Sequence, residues 1–378
     1  MTFTFIHTAD WQIGKSFGSM PPDKAPLLRE VRLDVIDRIA GVAREAGAGH
    51  VLVAGDVYDS SVVSDRVIRQ SLDRLMRNGH VTWHLLPGNH DPARAGGVWE
   101  RLAVGGVPAN VQIHLAPRPV AIADGIALLP APLTAASLES DPTAWMDAVE
   151  TPAGHHRIGL AHGSIQGFGS GDGEAKIPID PGRCRTAGLS YLALGDWHGL
   201  TRISDRTWYA GTPEPDRFPD NEPGFVLVVR LDGTDGPPRV ERRRTAWFYW
   251  QKRSVQVSGP GRLDALEGDI LSSNERPERL LLRLAVTGSA SLAAWSDAHA
   301  RLARLGERIF HLEADTDGLQ VLPEAVELEE FGSGDLGEVA QSLAALAADT
   351  ADDRSAVASL ALRKLHQFWR KAQPGGSP

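Results

Sequence analysis

Four short segments of the sequence combine aspartate, histidine, asparagine and glycine in a way that is typical of metal sites. They read His7-Thr8-Ala9-Asp10-Trp11-Gln12, Gly55-Asp56-Val57-Tyr58-Asp59, Gly88-Asn89-His90-Asp91 and Gly195-Asp196-Trp197-His198. A further histidine, His162, stands between the third and fourth segments. Carboxylates, amide oxygens and imidazoles are all ligands of divalent cations. The candidate ligands are Asp10, Gln12, Asp56, Asn89, His162, Asp196 and His198.

Each candidate group follows a stretch that is predicted to be a strand. The predicted strands are residues 3–8, 50–54, 83–86, 157–161 and 191–194. Apolar residues at spacings of three and four predict a helix from Leu28 to Ala46, and Gly47 ends it. A second helix is predicted over residues 66–77, with Ser64 as its N-cap. This alternation predicts an α/β fold with a layered sheet and helices outside. Sites in such sheets form at the carboxyl ends of strands, so we expect the candidate ligands to meet there.

The order of these motifs resembles that of the calcineurin-like metallophosphoesterases over about residues 3–230. The opening His-Thr-Ala-Asp-Trp and the segment Tyr209-Ala210-Gly211-Thr212-Pro213-Glu214-Pro215 are similar to the SbcD-type DNA repair exonucleases. The resemblance implies a metallophosphoesterase sheet sandwich flanked by helices. It also implies an enzyme that hydrolyses phosphodiester bonds with divalent cations.

In this family two cations lie side by side, and cations about 3.5–4 Å apart need an anion between them. The resemblance gives that bridging place to Asp56. It assigns one cation to Asp10, Asp56 and His198, and the other to Asp56, Asn89, His162 and Asp196. The catalytic residue would be His90, which would contact the phosphate or protonate the leaving oxygen. We expect His7, Asp59 and Asp91 to orient the ligands without binding a cation themselves.

Two positions depart from the family pattern. Gln12 stands where the family has histidine in Asp-x-His, and Asp196 stands where it has histidine in Gly-His-x-His. We expect Gln12 to offer a carbonyl oxygen and Asp196 a hard carboxylate. Because the altered site is richer in oxygen, it suits Mn²⁺ best, then Mg²⁺, rather than Zn²⁺. The alternative is that one cation is lost and activity is weak or absent.

Three functions remain open at this point. The first is a DNA repair nuclease that acts on DNA with an SMC-like ATPase partner of the SbcC type, in a subunit that forms homodimers as its relatives often do. The second is a phosphoesterase for a small molecule such as a nucleotide. The third is a non-catalytic subunit that binds DNA or the ATPase through a degenerate site.

Other features of the sequence have a plainer interpretation. Arg242-Arg243-Arg244 runs into aromatic residues 247–250 and could bind single-stranded nucleic acid. A strand with surface arginines and buried rings is favoured instead. The glycine-rich residues 167–173 lack the ending of a phosphate-binding loop, and a flexible loop near His162 is expected. The histidines His50, His80, His84 and His114 show no pattern that suggests a role.

Composition limits the class of protein. The chain has 378 residues, 42% of them apolar and 23% charged, with a net charge of −9. The single cysteine, Cys184, excludes a disulfide within the chain and a cysteine-rich zinc site. Acidity argues against a generally basic nucleic-acid coat but is compatible with a carboxylate-rich cation site. Without a membrane-length apolar run or the features of a signal peptide, we expect a cytoplasmic protein.

The length favours more than one domain. We predict a catalytic domain over residues 1–250, a small α+β capping domain over 251–332 and a helical C-terminal segment over 333–378. In the last helix, Leu365, Phe368 and Trp369 either pack on the body of the protein or form a docking face for a partner.

Overall fold

The computed structural model describes residues 2–134, 140–168, 177–233, 236–258, 262–349 and 351–373. The chain divides into two compact units, Met1–Trp247 and Phe248–Pro378. Most of the glycine-rich loop predicted after His162 lies outside the described residues, because these omit 169–176.

The first unit alternates strands and helices, as predicted. Its strands are β1 (Thr2–Thr8), β2 (His50–Val53), β3 (Thr82–Leu85), β4 (Val111–Ile113), β5 (Val120–Ala123), β6 (Ile126–Ala131), β7 (His156–His162), β8 (Ser164–Ile165), β9 (Pro178–Ile179), β10 (Tyr191–Gly195), β11 (Thr201–Arg202), β12 (Thr207–Tyr209), β13 (Phe225–Asp232) and β14 (Arg239–Arg244). Its helices are α1 (Ala25–Ala46), α2 (Asp65–Arg77), α3 (Val98–Gly105) and α4 (Arg183–Thr186), with a short 3-10 helix at Ala144–Asp147.

Two of the predicted helix boundaries have a clear local cause. Gly47 follows α1 with a φ of 67°, in the left-handed region that glycine adopts without steric cost. Ser64 precedes α2, and its side chain accepts a hydrogen bond from the backbone N–H of Val67. Both boundary predictions are confirmed.

Two six-stranded sheets form the body of this unit. The first has the order β14-β13-β1-β2-β3-β4, and β1 to β4 run parallel to one another. The second has the order β11-β12-β10-β7-β6-β5, with β6, β7, β10 and β12 parallel. Each sheet is closed by antiparallel strands at an edge. Parallel strands of one sheet therefore bring their carboxyl ends to the same edge.

Apolar side chains join these layers. Ile36 and Ile39 of α1 pack with Val51 and Trp83 on the outer face of the first sheet. Between the sheets, one cluster includes Phe5, Leu52, Leu128, Leu160 and Tyr191. A third cluster, with Leu129, Met146 and Leu192, covers the other face of the second sheet. The sandwich of sheets flanked by helices is the fold class that the sequence predicts.

The second unit has its own parallel sheet and its own core. Its elements are β15 (Tyr249–Ser258), α5 (Arg262–Ser272), a 3-10 helix (Pro277–Arg279), β16 (Leu280–Ala290), α6 (Leu292–Arg308), β17 (His311–Asp315), β18 (Leu319–Val321), α7 (Ala325–Glu329), α8 (Asp335–Ala348) and α9 (Ser355–Ala372). Strand β16 pairs with β15, β17 and β18. Leu365 and Trp369 of α9 contact the core of this unit, whereas Phe368 is 68% exposed.

In the segment of arginines and aromatic residues at 242–250, the arginines lie on a strand and some of the aromatic rings are buried. The arginines at 242–244 are exposed on β14, at the edge of the first sheet. Phe248 and Trp250 are buried. The interpretation as a strand with surface arginines is confirmed.

No helix in the described part of the chain is long and apolar enough to cross a membrane.

Candidate metal centre

The predicted ligands sit in sharp turns that follow the parallel strands. The φ angles of Asp10, Gln12 and Asp56 are 53°, 45° and 52°, and that of Asp196 is 101°. Side-chain-bearing residues seldom adopt positive φ angles, and such strained positions concentrate at functional sites. The turns are tied together, because Asp10 N–H donates to Gly55 O at 3.1 Å and Gln12 N–H donates to Asp56 O at 2.9 Å.

Two glycines allow these turns to approach one another. A Cβ on Gly88 would lie 2.1 Å from Oδ1 of Asp56. A Cβ on Gly195 would lie 2.0 Å from the carbonyl oxygen of Ala54 and 2.9 Å from Nδ1 of His162. Glycine is therefore required here by the space that the ligand residues need.

The centre of the site is a buried group of two carboxylates and one imidazole. Asp10, Asp56 and His162 each offer a ligand atom within 4.8 Å of the others, and all three are buried. Asn89 adds an amide oxygen, since its Oδ1 lies 3.1 Å from Nε2 of His162. Nε2 also lies 3.5 Å from Oδ1 of Asp56. These residues come from the ends of four different strands.

The electrostatics of this group fit a cation. Burial, the largest effect, raises the pKa of Asp10 to about 6, although His198 and His162 oppose the shift. Burial lowers the pKa of His162, but the carboxylates of Asp56 and Asp10 outweigh it and raise that pKa to about 9. Carboxylates crowded in a place without water need a positive charge among them. A donor set of carboxylate and amide oxygens with one imidazole fits Mn²⁺ or Mg²⁺.

Asp196 lies at the rim of this group. Its backbone N–H donates to Oδ1 of Asp10 at 3.1 Å, and its Oδ2 accepts from the Ser164 hydroxyl at 2.6 Å. Its Oδ1 lies 3.8 Å from Nε2 of His162. One carboxylate oxygen of Asp196 thus faces the same nitrogen as Asp56 and Asn89.

Gln12 is placed differently from the expectation. Its amide nitrogen lies 3.2 Å from Nε2 of His198, and its Oε1 accepts a hydrogen bond from Lys15 Nζ at 3.2 Å. Lys15 also pairs with Oδ2 of Asp216 at 2.8 Å and with Asp59 at 3.4 Å. The oxygen that was expected to face a cation is therefore held by an ammonium group.

His90 lies at the mouth of the site. Its backbone N–H donates to Oδ1 of Asp56 at 2.9 Å, which holds that carboxylate in place. Its imidazole is 44% exposed, and Nδ1 lies 3.1 Å from the carbonyl oxygen of Asp59. Its other ring nitrogen, Nε2, lies 3.9 Å from Oδ2 of Asp56.

The three residues that were predicted to orient the ligands make different contacts. Buried Asp91 accepts hydrogen bonds from Gly88 N–H at 2.7 Å and Tyr58 N–H at 2.9 Å, and so holds the turn that carries Asn89. Asp59 contributes through Lys15 and His90, as described above. His7 lies deeper, with Nδ1 3.0 Å from the Tyr191 hydroxyl and Nε2 3.1 Å from Leu194 O. It contacts the strand that carries Asp196.

Sequence reasoning missed Lys15 and Asp216, and it missed a column of histidines. Nδ1 of His50 lies 3.0 Å from Nε2 of His84, whose Nδ1 lies 3.1 Å from Nε2 of His114. The sequence carries no signal for the column, because the column depends on the register of β2 and β3. In that register His84 lies opposite Leu52, on the strand face that Leu52 shares with His50.

Comparison with known proteins decides the family. The model of the calcineurin-like phosphoesterase family matches residues 3–230, more than half of the chain. The chain belongs to that family. Calcineurin-like phosphoesterases bind divalent metals and hydrolyse phosphoesters, and the group of Asp10, Asp56 and His162 is compatible with such a metal. The family assignment thus confirms the general part of the resemblance.

The other comparisons give little further information about this calcineurin-like phosphoesterase. No curated protein matches the chain. One crystal structure aligns with 64% of this chain and 99% of its own chain, at 11% identity and a TM-score of 0.40. A likeness of this size supports no statement about function.

Proposed function

We propose that this calcineurin-like phosphoesterase is a phosphodiesterase that cleaves DNA with two divalent cations, Mn²⁺ first among them. The observation that carries the proposal is the buried group of Asp10, Asp56 and His162, with Asn89 beside it. When bound, the cations would supply a nucleophile from water and neutralise charge on the phosphoryl oxygens.

The protein's own residues have distinct parts in this proposal. Asp56 would bridge the two cations. Its Oδ1 lies 3.5 Å from Nε2 of His162, and its backbone carbonyl accepts a hydrogen bond from Gln12 N–H at 2.9 Å. The main-chain contact from His90 keeps its carboxylate in place. The exposed imidazole of His90, oriented by the Asp59 carbonyl, would hold the phosphate or give a proton to the leaving oxygen.

A DNA substrate of the SbcD type is supported by one motif and one surface. In the segment from Tyr209 to Pro215, Thr212 N–H donates to His198 O at 3.0 Å, so this segment adjoins the site. The exposed arginines of β14 are linked to this segment through Glu222, with which Arg242 forms an ion pair at 3.0 Å. Glu222 O in turn accepts from Leu200 N–H, two residues after His198. The arginines of β14 would supply positive charge for binding the phosphate backbone of DNA.

The partner is part of the proposal. By resemblance, an SMC-like ATPase of the SbcC type would present the DNA and bind the C-terminal helices. Exposed Phe368 on α9 is a contact that such a partner could cover.

The first test is hydrolysis by the purified full chain with Mn²⁺, using bis-p-nitrophenyl phosphate and linear DNA. Asp56→Asn should abolish both activities, because an amide cannot bridge two cations. The matched control is Asp65→Asn, which removes an exposed carboxylate paired with Arg101. Cleavage of small esters with none of DNA, even with the ATPase present, would favour a small-molecule phosphoesterase.

A second candidate function rests on Gln12. Its oxygen is held by Lys15, so the site lacks the ligand that the family has at this position, which favours a non-catalytic binding subunit. Full cation occupancy with no turnover on any phosphoester would favour that function over hydrolysis.

A further inference from the structure

Arg32 on α1 is a buried arginine whose terminal nitrogens both donate to main-chain oxygens near the metal centre. It is 1% exposed. Its Nη1 donates to the carbonyl oxygen of Trp11 at 2.5 Å, and its Nη2 donates to the carbonyl oxygen of Glu214 at 2.7 Å. A charged group is costly to bury, and an apolar side chain of similar size often stabilises an interior as well or better. The contacts of Arg32, rather than a contribution to stability, therefore indicate its role.

The first of these oxygens belongs to the turn between two predicted ligands. Trp11 stands between Asp10 and Gln12, whose φ angles of 53° and 45° are strained for residues that bear side chains. A strained turn keeps its shape only where its surroundings hold it. Gln12 N–H donates to Asp56 O at 2.9 Å, which holds the turn on the side of the sheet. The hydrogen bond from Arg32 to Trp11 O holds it on the side of α1.

The second oxygen belongs to a segment that reaches the same ligands from another part of the chain. Two residues after Glu214, the carboxylate of Asp216 pairs with Lys15 at 2.8 Å and lies 3.7 Å from Nδ1 of His198. A guanidinium group is planar and presents its donors in a rigid fork, so it fixes two acceptors relative to one another. Arg32 therefore links two main-chain segments that converge on one group of ligands.

We propose that Arg32 is a positioning residue of the metal centre. Its two hydrogen bonds hold the turn of Asp10 and Gln12 at a fixed place relative to the segment of Asp216, so that Asp10 and His198 are together available to one cation. Arg32 itself touches neither the cation nor the substrate. The inference rests on the proposed function, because it takes Asp10 and His198 as ligands of the same cation.

The direction of one change separates positioning from the effect of charge alone. Burial lowers the pKa of Arg32, and Asp10 is among the carboxylates that oppose this shift. A positive charge that interacts with Asp10 also repels a cation bound there, so its loss in Arg32→Met would by itself tighten Mn²⁺ binding. Because Arg32 orients the ligands, we expect the opposite. Calorimetry should show Mn²⁺ affinity about 10–100-fold weaker in Arg32→Met than in the wild type.

A second variant keeps the charge. Arg32→Lys places an ammonium group on a flexible stem and lacks the planar fork. If charge alone mattered, Arg32→Lys would bind Mn²⁺ as the wild type does, whereas positioning predicts weaker binding here too. This variant also serves if Arg32→Met does not fold.

The matched control is Arg38→Met. Arg38 lies on the same helix and also contacts Glu214, through the side-chain Oε2 at 2.7 Å, and its Nε donates to Thr245 O at 2.6 Å. These contacts do not include the turn of Trp11. We expect both arginine variants to lose stability in urea denaturation, but Arg38→Met should bind Mn²⁺ with wild-type affinity.

Hydrogen exchange in the metal-free protein reports on the turn itself. The amides of Gln12 and Ile13 donate to Asp56 O and Val57 O, each at 2.9 Å. Relative to the amides of β7, both should exchange at least about tenfold faster in Arg32→Met than in the wild type or in Arg38→Met.

Three results would overturn the proposal: Mn²⁺ binding that is unchanged or tighter in Arg32→Met, an equal loss of affinity in Arg38→Met, or exchange of the turn amides at the wild-type rate in Arg32→Met. A different result bears on the proposed function alone. If the wild type binds Mn²⁺ more tightly than Arg32→Met but hydrolyses no phosphoester, the positioning role stands and the phosphodiesterase does not.

Discussion

Nε2 of His162 lies 3.1 Å from Oδ1 of Asn89, a residue 73 positions earlier in the chain. Nδ1 of the same ring lies 2.9 Å from the carbonyl oxygen of Ala54. Both partners are acceptors in this arrangement, so the ring that satisfies them carries two protons. This agrees with the pKa of about 9 that the surrounding carboxylates impose against the opposing effect of burial. A proton and a cation therefore compete for Nε2.

Binding of Mn²⁺ should release a proton from His162. Below a pKa of about 9 the ring is charged in the metal-free protein, and a ligating imidazole must be neutral. We expect the affinity to rise by up to about tenfold per pH unit between pH 6 and 9, as this proton becomes easier to remove. Calorimetry in buffers with different ionisation enthalpies measures the number of protons released.

His162→Gln should bind Mn²⁺ more weakly and release fewer protons. His156→Gln is the matched control, because His156 lies on the same strand but contacts Ser190 at 2.9 Å. Proton release that is the same in His162→Gln as in the wild type would show that another group supplies the proton.

The close approach at Gly88 and Gly195 predicts a second result. Gly88→Ala places a methyl group against Asp56, and Gly195→Ala places one against Ala54 O and His162. We expect each variant to lose measurable Mn²⁺ binding and about 2–4 kcal/mol of unfolding free energy, since overpacking and displaced ligands act together. Calorimetry and urea denaturation report the two losses.

Gly41→Ala is the control for these glycine variants. Gly41 lies inside α1, and a Cβ there meets nothing within 4 Å. That substitution should raise the unfolding free energy by about 0.5–1 kcal/mol and leave Mn²⁺ binding unchanged. Tolerance of alanine at both Gly88 and Gly195 would be incompatible with the close packing of the turns.

The histidine column predicts a pH dependence of stability. Burial lowers the pKa of His84 well below its usual value and lowers the pKa of His114 to about 4. Unfolding returns both to about 6.5. The unfolded chain thus binds more protons in this range, so stability is full above pH 6.5 and is lost as the pH falls toward 4. The expected slope is about 1.4 kcal/mol per pH unit for each histidine.

Urea denaturation of the metal-free protein at pH 7.5, 5.5 and 4.5 measures this slope. His84→Gln should reduce it by about one histidine's contribution, whatever its effect on stability at pH 7.5. The comparison is with His80→Gln, at an exposed position before β3 that makes no hydrogen bond to the column. An identical slope in His84→Gln and the wild type would contradict the assigned role of burial.

The sequence could predict the sandwich and the meeting of the ligands because both depend on local patterns. Asp10, Asp56 and Asn89 follow strands whose parallel pairing brings their ends to one edge. The order of those motifs was enough to predict the family.

The remaining details depend on side chains that are distant in sequence. Whether Oε1 of Gln12 faces a cation or Lys15 is decided by Asp216, some two hundred positions later, which pairs with that lysine. The histidine column depends on the register of β2 and β3, and a shift of one residue would turn His84 to the other face. Neither the spacing nor the residue types determine these contacts.

The most direct measurement is anomalous diffraction from crystals of the full chain soaked in Mn²⁺. We predict a strong Mn²⁺ peak bounded by the side chains of Asp10, Asp56, Asn89 and His162, and its absence from crystals of Asp56→Asn. Manganese that binds elsewhere, or that keeps the same position and occupancy in Asp56→Asn, would contradict the assignment of this buried group as the metal centre.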